Sequence, residues 1–559
     1  MKKKKAMLSI MIVSCILLIA YLVFFQKNHT DVFLEVQLNK AGTINVRLLE
    51  QRGFWWSTPG LKGDEYTVVE LGLQKDDANQ ENHFFVPGHL DLSEVYVVFT
   101  GNRAEGEAYL DGNALTMQQS QCVNNLQTGE HVLSIGDNAV DFTILQGSKI
   151  PSMWIDTQTG MDYVHDSQNH LTAGNIRIFS GQGEPEYTGE MESLKGRGNS
   201  SWYMRKKSYN IKFQGPTSLL GMTPGRNWVL VSGAMDPTAL RNKIFLDMAE
   251  ECGLNNALES ELVDLYVDGE YYGCYVLAEK ITIGQGRLEI SDLEAQTQLL
   301  NDQPLELYDR YRIGEGQQKG FLIPNNPEDI SGGYLLEVET YLQRYREEPC
   351  GFITHNEYPV LIKEPAYATN GQVEYIANYV QEFEDALYSP GGYNALGKYY
   401  LDYIDLESFA IRYLLDEISK NLDAGYSSYF FYKPQDVDKM YAGPIWDYDT
   451  SLGNNFGWGD SNVLQNPEGM YVNQDNWSEI LWEQEDFREA SKEIFRERFL
   501  PYLKELNEKG MDAYWDSVSD SVRMEAVCHG KEEPDAAYEE MKNFVEKRTE
   551  YLEKEWGTP

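Results

Sequence analysis

The alternation of apolar and polar residues divides the chain into a β-rich first part and an increasingly helical second part. Residues 31–147 carry short, partly alternating apolar runs such as "FLEVQL" and "EVYVVFT", separated by Gly, Asn and Asp turns. This pattern is typical of the strands of a small β-sandwich. Residues 148–480 mix strands with helical stripes, and residues 481–559 have an almost wholly helical pattern. We therefore predict an α+β protein built mostly of antiparallel strands.

Local signals place several elements of the second part. Asp236 suits the N-cap of a helix that Gly253 would end, and Asp405 suits the N-cap of another helix. The segment "ELVDLYVDGEYYGCYVLAEKI" predicts a β-hairpin that turns at residues 268–269.

The first 30 residues form a separate segment. An uncharged run over residues 7–25, "MLSIMIVSCILLIAYLVFF", follows four lysines. At about 1.5 Å per residue this run nearly crosses a hydrocarbon layer of about 30 Å, and the lysines predict a cytoplasmic N-terminus. We predict an uncleaved signal anchor in residues 1–30, with the body of the protein outside the cell. A cleaved signal peptide is the alternative, although no small-x-small cleavage site follows the run.

Net charge and the spacing of cysteine and histidine argue against several classes of protein. A formal net charge of -41 argues against a protein that coats nucleic acid. The cysteines outside the apolar run are odd in number and show no CxxC spacing, which favours independent thiols; a disulfide between Cys252 and Cys274 is the alternative. The scattered histidines give no zinc-site spacing. Trp55 and Trp56 predict either a surface that stacks on cell-wall carbohydrate or a contribution to the core.

A basic cluster interrupts this acidic chain at residues 195–243, where nine basic residues face a single acid, Asp236. The basic residues are Lys195, Arg197, Arg205, Lys206, Lys207, Lys212, Arg226, Arg241 and Lys243. The reversal of charge favours a polyanionic ligand, although a solvated patch that balances acids elsewhere has the same composition. The alternation of "SYNIKF" turns Lys212 away from the core, as expected of a lysine held against a phosphate. The chain contains no GxxxxGK[ST] phosphate loop.

A second hairpin pattern brings acids together. The runs "SSYFFYK" and "KMYAGPIW" flank a polar turn at residues 434–438, so Asp423 before the hairpin and Asp447 after it reach the same open end. In an extended segment Asp447 and Asp449 would share one face, about 7 Å apart. Converging carboxylates need a metal, a shared proton or a cation, and oxygen-only ligands suit Mg²⁺ or Mn²⁺. Strand-end aspartates that cap a turn are the alternative.

Together these blocks resemble the CotH family of spore-coat and cell-surface proteins, an atypical branch of the protein-kinase-like fold. The blocks are "LKGRGNSSW", "KKSYNIKF", "NWVLVSGAMDPTALRNKI", "LYVDGEYYGCYVLAEKI", "EISKNLDAGYSSYFFYK" and "GPIWDYDTSLGN", in the family's order. The resemblance implies a two-lobed, atypical kinase-like domain over residues 148–480. The β-rich domain of residues 31–147 would precede it, and residues 481–559 would form a helical extension packed on it.

The resemblance also implies an activity, the transfer of a phosphoryl group from ATP, bound between the lobes, to Ser or Thr of a surface or spore-coat protein. By position, Lys212 would be catalytic and would bind the nucleotide phosphates together with Arg197. Glu279, at the end of the first hairpin, would lie near the connection between the lobes and the ATP.

The aspartates take the remaining roles. Asp423 would orient the acceptor hydroxyl or take its proton, Asp447 would bind Mg²⁺ or Mn²⁺, and Asp449 would be a second metal ligand. The sequence departs from many kinase-like catalytic loops at Ser428, where an Asn would help hold the metal. A serine hydroxyl is a shorter and poorer ligand than a carboxamide oxygen.

Two other functions fit parts of this pattern. The Ser428 departure is compatible with a non-catalytic surface or spore-coat scaffold. Asp-Tyr-Asp also matches the Asp-x-Asp pattern of metal-dependent glycosyltransferases, but the parallel βαβ pattern expected of such enzymes is not evident.

Overall fold

A computed structural model describes residues 27–558, apart from residues 39–42, 56–64, 101–106, 118, 315–316, 474–475 and 532 and the side chains of residues 27–29, 53–55 and 65–68. The protein is a mixed α+β structure with several sheets and a helical C-terminal part, as predicted. Within the described ranges, no helix is long and apolar enough to cross a membrane. The predicted anchor over residues 7–25, Trp56 and the side chain of Trp55 lie outside the described part.

The first part of the chain forms two sheets around one apolar core. Their strands are β1 Lys27–Leu38, β2 Ile44–Trp55, β3 Glu65–Gly72, β4 Gln74–Lys75, β5 Asn82–Val86, β6 Glu94–Thr100, β7 Ala108–Leu110, β8 Asn113–Leu115, β9 Gln121–Asn124, β10 Gly129–Ile135 and β11 Asn138–Gln146. The strand orders are β3-β2-β1-β6-β9 and β4-β5-β11-β10-β7-β8. Val36 and Leu48 of the first sheet share the core with Phe84 and Ile144 of the second.

A closed barrel follows, with the strand order β12-β13-β14-β15-β16-β18-β17. Its strands are β12 Ser152–Thr157, β13 Leu171–Phe179, β14 Pro185–Arg197, β15 Ser208–Thr217, β16 Gly225–Val231, β17 Ser260–Val267 and β18 Glu270–Glu279. Tyr209, Ile211 and Phe213 fill its interior, which confirms the alternation predicted for β15. The hairpin of β17 and β18 turns at residues 268–269, also as predicted.

A seven-stranded sheet and a set of helices complete the chain. The sheet has the order β19-β20-β22-β23-β21-β24-β25. Its strands are β19 Arg310–Ile313, β20 Gln318–Phe321, β21 Tyr334–Val338, β22 Gly351–Ile353, β23 Pro359–Glu364, β24 Tyr429–Lys433 and β25 Tyr441–Ala442. The last two strands are the predicted second hairpin, in which Phe431 lies opposite Ala442.

The helices lie mostly after the barrel. They are α1 Met161–Asp166, α2 Arg241–Glu251, α3 Leu293–Leu299, α4 Leu342–Glu347, α5 Asn370–Leu387, α6 Leu406–Ser419, α7 Ser461–Leu464, α8 Trp477–Glu483, α9 Glu485–Ile494, α10 Leu500–Glu505, α11 Met511–His529 and α12 Pro534–Trp556. Asp405 caps α6 as predicted, since its side chain accepts a hydrogen bond from the backbone N–H of Ser408. All cysteines among the described residues are free thiols.

Helix α2 begins four residues later than predicted, with Leu240 in place of Asp236 at its N-cap. Asp236 does not cap it; its carboxylate accepts hydrogen bonds from the backbone N–H groups of Thr238 and Arg241, each at 2.9 Å, and pairs with the Arg241 guanidinium. The intervening Ala239 has a φ of 57°, which is incompatible with a continuous right-handed helix. The buried ion pair with Arg241 therefore outweighs the capping propensity of Asp236.

Lys206 joins the loop between β14 and β15 to the C-terminal helices. Its ammonium is almost fully buried and lies 2.5 Å from the Glu525 carboxylate of α11 and 2.5 Å from the Cys274 carbonyl oxygen of β18. Glu525 also pairs with Lys531 at 2.5 Å. The base of this loop is thereby fixed to both the barrel and α11.

We expect Glu525→Ala to lower the free energy of unfolding by about 3–5 kcal/mol, because it leaves the buried Lys206 ammonium without a carboxylate. Denaturant unfolding measures the change. Asp516→Ala, at an exposed position of the same helix, should change it by less than about 0.5 kcal/mol. Equal stabilities of the two variants would contradict this account of the ion pair.

Candidate functional site

Three aspartates meet at the open end of the β24–β25 hairpin. Burial and the negative charge of Asp447 raise the pKa of Asp423 to about 7. Burial and the charges of Asp447, Asp236 and Asp423 raise the pKa of Asp449 well above its usual range. The structure thus brings together the three acids that the hairpin pattern predicts to converge.

The segment that carries Asp447 is not the extended strand that the sequence predicts. β25 ends at Ala442, and Asp447 has a φ of 70°, in the left-handed region. The expectation that Asp447 and Asp449 lie in one extended strand, from which the shared face was inferred, is therefore wrong. Tertiary contacts override the strand pattern at this point.

Tyr448 anchors that segment between the two aspartates. Its backbone N–H donates to Asn242 Oδ1 at 2.8 Å, and its ring stacks on Phe245 with 4.7 Å between centroids. Its hydroxyl donates to Asp416 at 2.5 Å, and Asp416 in turn accepts from Arg412 Nε at 2.8 Å. Contacts from α2 and α6 therefore fix the direction of the neighbouring carboxylates.

Backbone contacts hold the two acidic segments side by side. Leu422 N donates to the Thr450 carbonyl at 3.1 Å, and Leu452 N donates to the Ser419 carbonyl at 2.8 Å. Arg241 of α2 adds a hydrogen bond from Nε to the Ser451 carbonyl at 2.8 Å. Asp423 and Asp447 are thus positioned by paired, buried main chain.

Asn421 also serves this positioning. Its Nδ2 donates to the Asp447 carbonyl oxygen at 3.0 Å, and its Oδ1 accepts from the Asp423 N–H at 3.3 Å. Ser428 is 5% exposed and has a φ of 52°. The Asn421 amide is therefore engaged on both sides and joins the Asp423 and Asp447 segments.

Arg197 is the member of the basic cluster that reaches the aspartates. It stacks over the Trp446 ring at 4.9 Å and acts electrostatically on Asp447. Lys280, just after β18, lies near Lys195, Arg197 and Lys363, and its burial and these positive charges lower its pKa. Positive charge therefore collects on the barrel side of the aspartates.

Most of the cluster has internal partners instead. Arg205 pairs with Asp77, Lys206 with Glu525, Arg241 with Asp236, and Lys243 with Asp247, while Lys207 donates to the Trp202 and Met204 carbonyls. Charge balance, the alternative interpretation, therefore accounts for most members of the cluster. The sequence could not decide this, because spacing does not show which acid lies opposite each base.

Lys212 pairs with an acid other than the three aspartates. It does point out of the barrel, but its ammonium pairs with Glu192 at 2.7 Å, and Glu192 also pairs with Arg226 at 2.7 Å. These two cations lower the pKa of Glu192. The charges that act most strongly on Asp447 are those of Arg197, Arg344 and Glu337.

Arg344, Glu337 and Glu339 are site residues that the sequence interpretation missed. Both glutamates are almost fully buried on or just after β21, and Arg344 of α4 pairs with each of them. Lys363 lies 3.3 Å from Glu337. The sequence pattern that could have indicated them is the pair of acids at alternate positions of the otherwise apolar run "YLLEVET". A buried charge needs a partner, so this pair predicts a cation nearby.

Glu279 lies in the wall of a neighbouring cavity of about 290 Å³, which Pro444 and Arg287 also line. It pairs with Arg287, and burial raises its pKa to about 7. The next residue, Lys280, belongs to the positive group near Arg197. Glu279 is therefore next to the candidate site in the chain, because Lys280 follows it and lies near Arg197.

The donor set at the aspartates fits a hard divalent cation. Burial raises the pKa values of both Asp447 and Asp449, and the charge of Asp447 adds to the rise at Asp449, so a Mg²⁺ or Mn²⁺ ion bound to both would offset the cost of ionising them. Among the described residues, the group whose three candidate ligand atoms lie within 4.8 Å of one another is Asp76, Glu81 and His83, and not the three aspartates. There the Asp76 carboxylate is already occupied by hydrogen bonds from its own turn.

Comparison with known proteins agrees with the geometry. A family model described as CotH kinase protein matches residues 194–552, from the end of β14 to the last turns of α12. No curated protein matches the chain. Because the family model covers more than half of the sequence and includes both the aspartates and the basic strand end, the chain belongs to the CotH kinase family.

Proposed function

We propose that the protein is an active CotH-type kinase that transfers the γ-phosphoryl group of ATP to Ser or Thr hydroxyls of surface or spore-coat proteins. The observation that carries the proposal is the convergence of Asp423, Asp447 and Asp449 beside Arg197 and Arg344. Phosphoryl transfer needs this combination, a base or orienting acid, metal-binding carboxylates and cations for the phosphates.

The proposed nucleotide site lies between the barrel, as the first lobe, and the sheet with its helices, as the second. The β14–β15 loop carries "GRGNSSW" and would cover the phosphates, as glycine-rich loops do in kinases. Helix α2, which precedes β17 of the barrel, contacts the Asp447 segment directly. This contact between the barrel part and the aspartates supports the assignment.

Each residue then has a chemical role. Asp447 and Asp449 would hold Mg²⁺ or Mn²⁺, which when bound neutralises charge on the phosphate oxygens. Arg197 would bind the phosphates, and Lys212 would reach them only by leaving Glu192. Asp423, with its raised pKa, would orient the acceptor hydroxyl and take its proton.

The location and partners of the kinase are part of the proposal. The apolar run over residues 7–25 supports a membrane anchor with the body outside the cell. A non-catalytic surface or spore-coat scaffold is the alternative that the serine at position 428 favours.

We expect Asp423→Asn and Asp447→Asn each to reduce phosphate transfer at least about 100-fold, because one removes the base and the other a metal ligand. Transfer is measured with labelled ATP, Mn²⁺ or Mg²⁺ and a generic protein acceptor. Asp516→Asn, at an exposed position of α11, should keep the wild-type rate. If the wild type and Asp447→Asn transferred equally little label, the enzymatic proposal would fail and the scaffold would remain.

Arg197→Ala should raise the KM for ATP by about 10- to 100-fold, the usual effect of losing one hydrogen bond to a charged group. Lys212→Ala should raise it less than about threefold, because this lysine is already paired with Glu192 in an exposed position. Steady-state kinetics at varied ATP concentration separate the two. The opposite order of effects would return the phosphate-binding role to Lys212.

Metal affinity should increase with pH, because ligation needs ionised carboxylates and burial raises the pKa values of Asp447 and Asp449. The rise in melting temperature on adding Mn²⁺ should therefore be larger at pH 8 than at about pH 5. Asp447→Asn should show a small rise at either pH. A pH-independent Mn²⁺ effect in the wild type would place the ion elsewhere.

A further inference from the structure

Arg344 contacts the two loops that face each other across the proposed site. Its Nη1 donates to Ser427 Oγ at 3.1 Å, in the segment that follows Asp423. Its Nε lies 2.8 Å from the Asn199 side-chain oxygen, in the amide orientation that satisfies both groups. Asn199 belongs to the "GRGNSSW" loop of the barrel. One guanidinium therefore lies between the loop that would cover the phosphates and the segment that would receive the acceptor hydroxyl.

The acids behind Arg344 fix its orientation. Glu339 pairs with Nη1, and Glu337 lies 3.4 Å from Nη2; both carboxylates are 1% exposed or less. The arginine side chain itself keeps 26% exposure. A planar guanidinium held on one side by two buried carboxylates presents its other donors to the cleft in a fixed direction.

The partner that can be replaced is the neutral Asn199 amide, since Ser427 is buried beside the glutamates and its hydroxyl donates to Glu339 at 3.1 Å. An amide oxygen is a weaker acceptor than a phosphoryl oxygen, since charge-assisted hydrogen bonds are about twice as strong as neutral ones. The positive charge of Arg344 also acts on Asp447 and on Asp423. A phosphoryl group entering beside these aspartates would displace the neutral amide.

We propose that Arg344 is a catalytic residue that binds the equatorial oxygens of the phosphoryl group during its transfer. This assignment rests on the proposed kinase function. In the step, the acceptor hydroxyl oxygen forms a bond to the γ-phosphorus, its proton passes to Asp423, and the bond to the β–γ bridging oxygen breaks with its electron pair remaining on ADP. Arg344 stays charged and exchanges its bond to Asn199 for bonds to the phosphoryl oxygens.

Arg344→Lys tests the assignment, because it keeps the charge that the buried glutamates need but removes the planar fork. We expect kcat to fall about 100- to 1,000-fold with the KM for ATP nearly unchanged, as for the loss of one transition-state donor. Affinity for ADP with Mg²⁺ and aluminium fluoride should fall by a similar factor, while affinity for ADP alone stays constant. Arg346→Lys, at an exposed position of the same helix, is the matched control and should behave as wild type.

The outcomes separate this assignment from the function on which it rests. If wild type transfers phosphate and Arg344→Lys keeps its kcat, the catalytic role is wrong. Equal losses of affinity for ADP and for the aluminium fluoride complex would also overturn it, since Arg344 would then only hold the loop closed. If the wild type transfers nothing, the kinase function and this assignment both fail. Should Arg344→Lys not fold, the double variant with Glu339→Gln removes one buried charge and supports the same comparison.

Discussion

Crowding of buried carboxylates is the constraint on which the site depends. The charges of two buried glutamates, Glu337 on β21 and Glu339 just after it, act on Asp423 at the hairpin end, and buried like charges cannot all ionise without cations. The chain supplies Arg197, Arg344 and Lys363 on the surrounding elements. The remaining negative charge makes the position suitable for a divalent cation, and the positive residues beside it make it suitable for a polyphosphate.

The surrounding fold maintains this costly arrangement by fixing the main chain around it. Tyr448 is held by α2 and α6, and the Asn421 amide joins the two acidic segments. The loop opposite them is fixed at its base by the buried Lys206–Glu525 pair. Breaking such a pair is strongly unfavourable, so the base of this loop is held in place. Preorganisation of this kind is what phosphoryl transfer requires of a protein, because the chemistry depends on positioning and electrostatics.

The sequence was sufficient for features that depend on local pattern. The alternation of "SYNIKF" gave the inner face of β15, and the spacing around residues 434–438 gave the hairpin that brings Asp423 and Asp447 together. It was insufficient where tertiary contacts decide. The left-handed backbone of Asp447, the late start of α2 and the pairing of Lys212 with Glu192 each depend on residues distant in sequence.

The same limit explains why Arg344 was missed. Its partners come from β21 and the residue after it, from the segment that follows Asp423 and from the barrel loop, and no spacing in the sequence connects them. The two glutamates in an apolar strand indicated only that some cation had to lie opposite.

A structure of the protein with a non-hydrolysable ATP analogue and Mn²⁺ would locate both the nucleotide and the metal. We expect an ion bound by Asp447 and Asp449 and triphosphate oxygens in contact with Arg197, beneath the "GRGNSSW" loop. A nucleotide bound elsewhere, for example in the cavity lined by Glu279 and Arg287 with no ion at Asp447, would contradict this expectation.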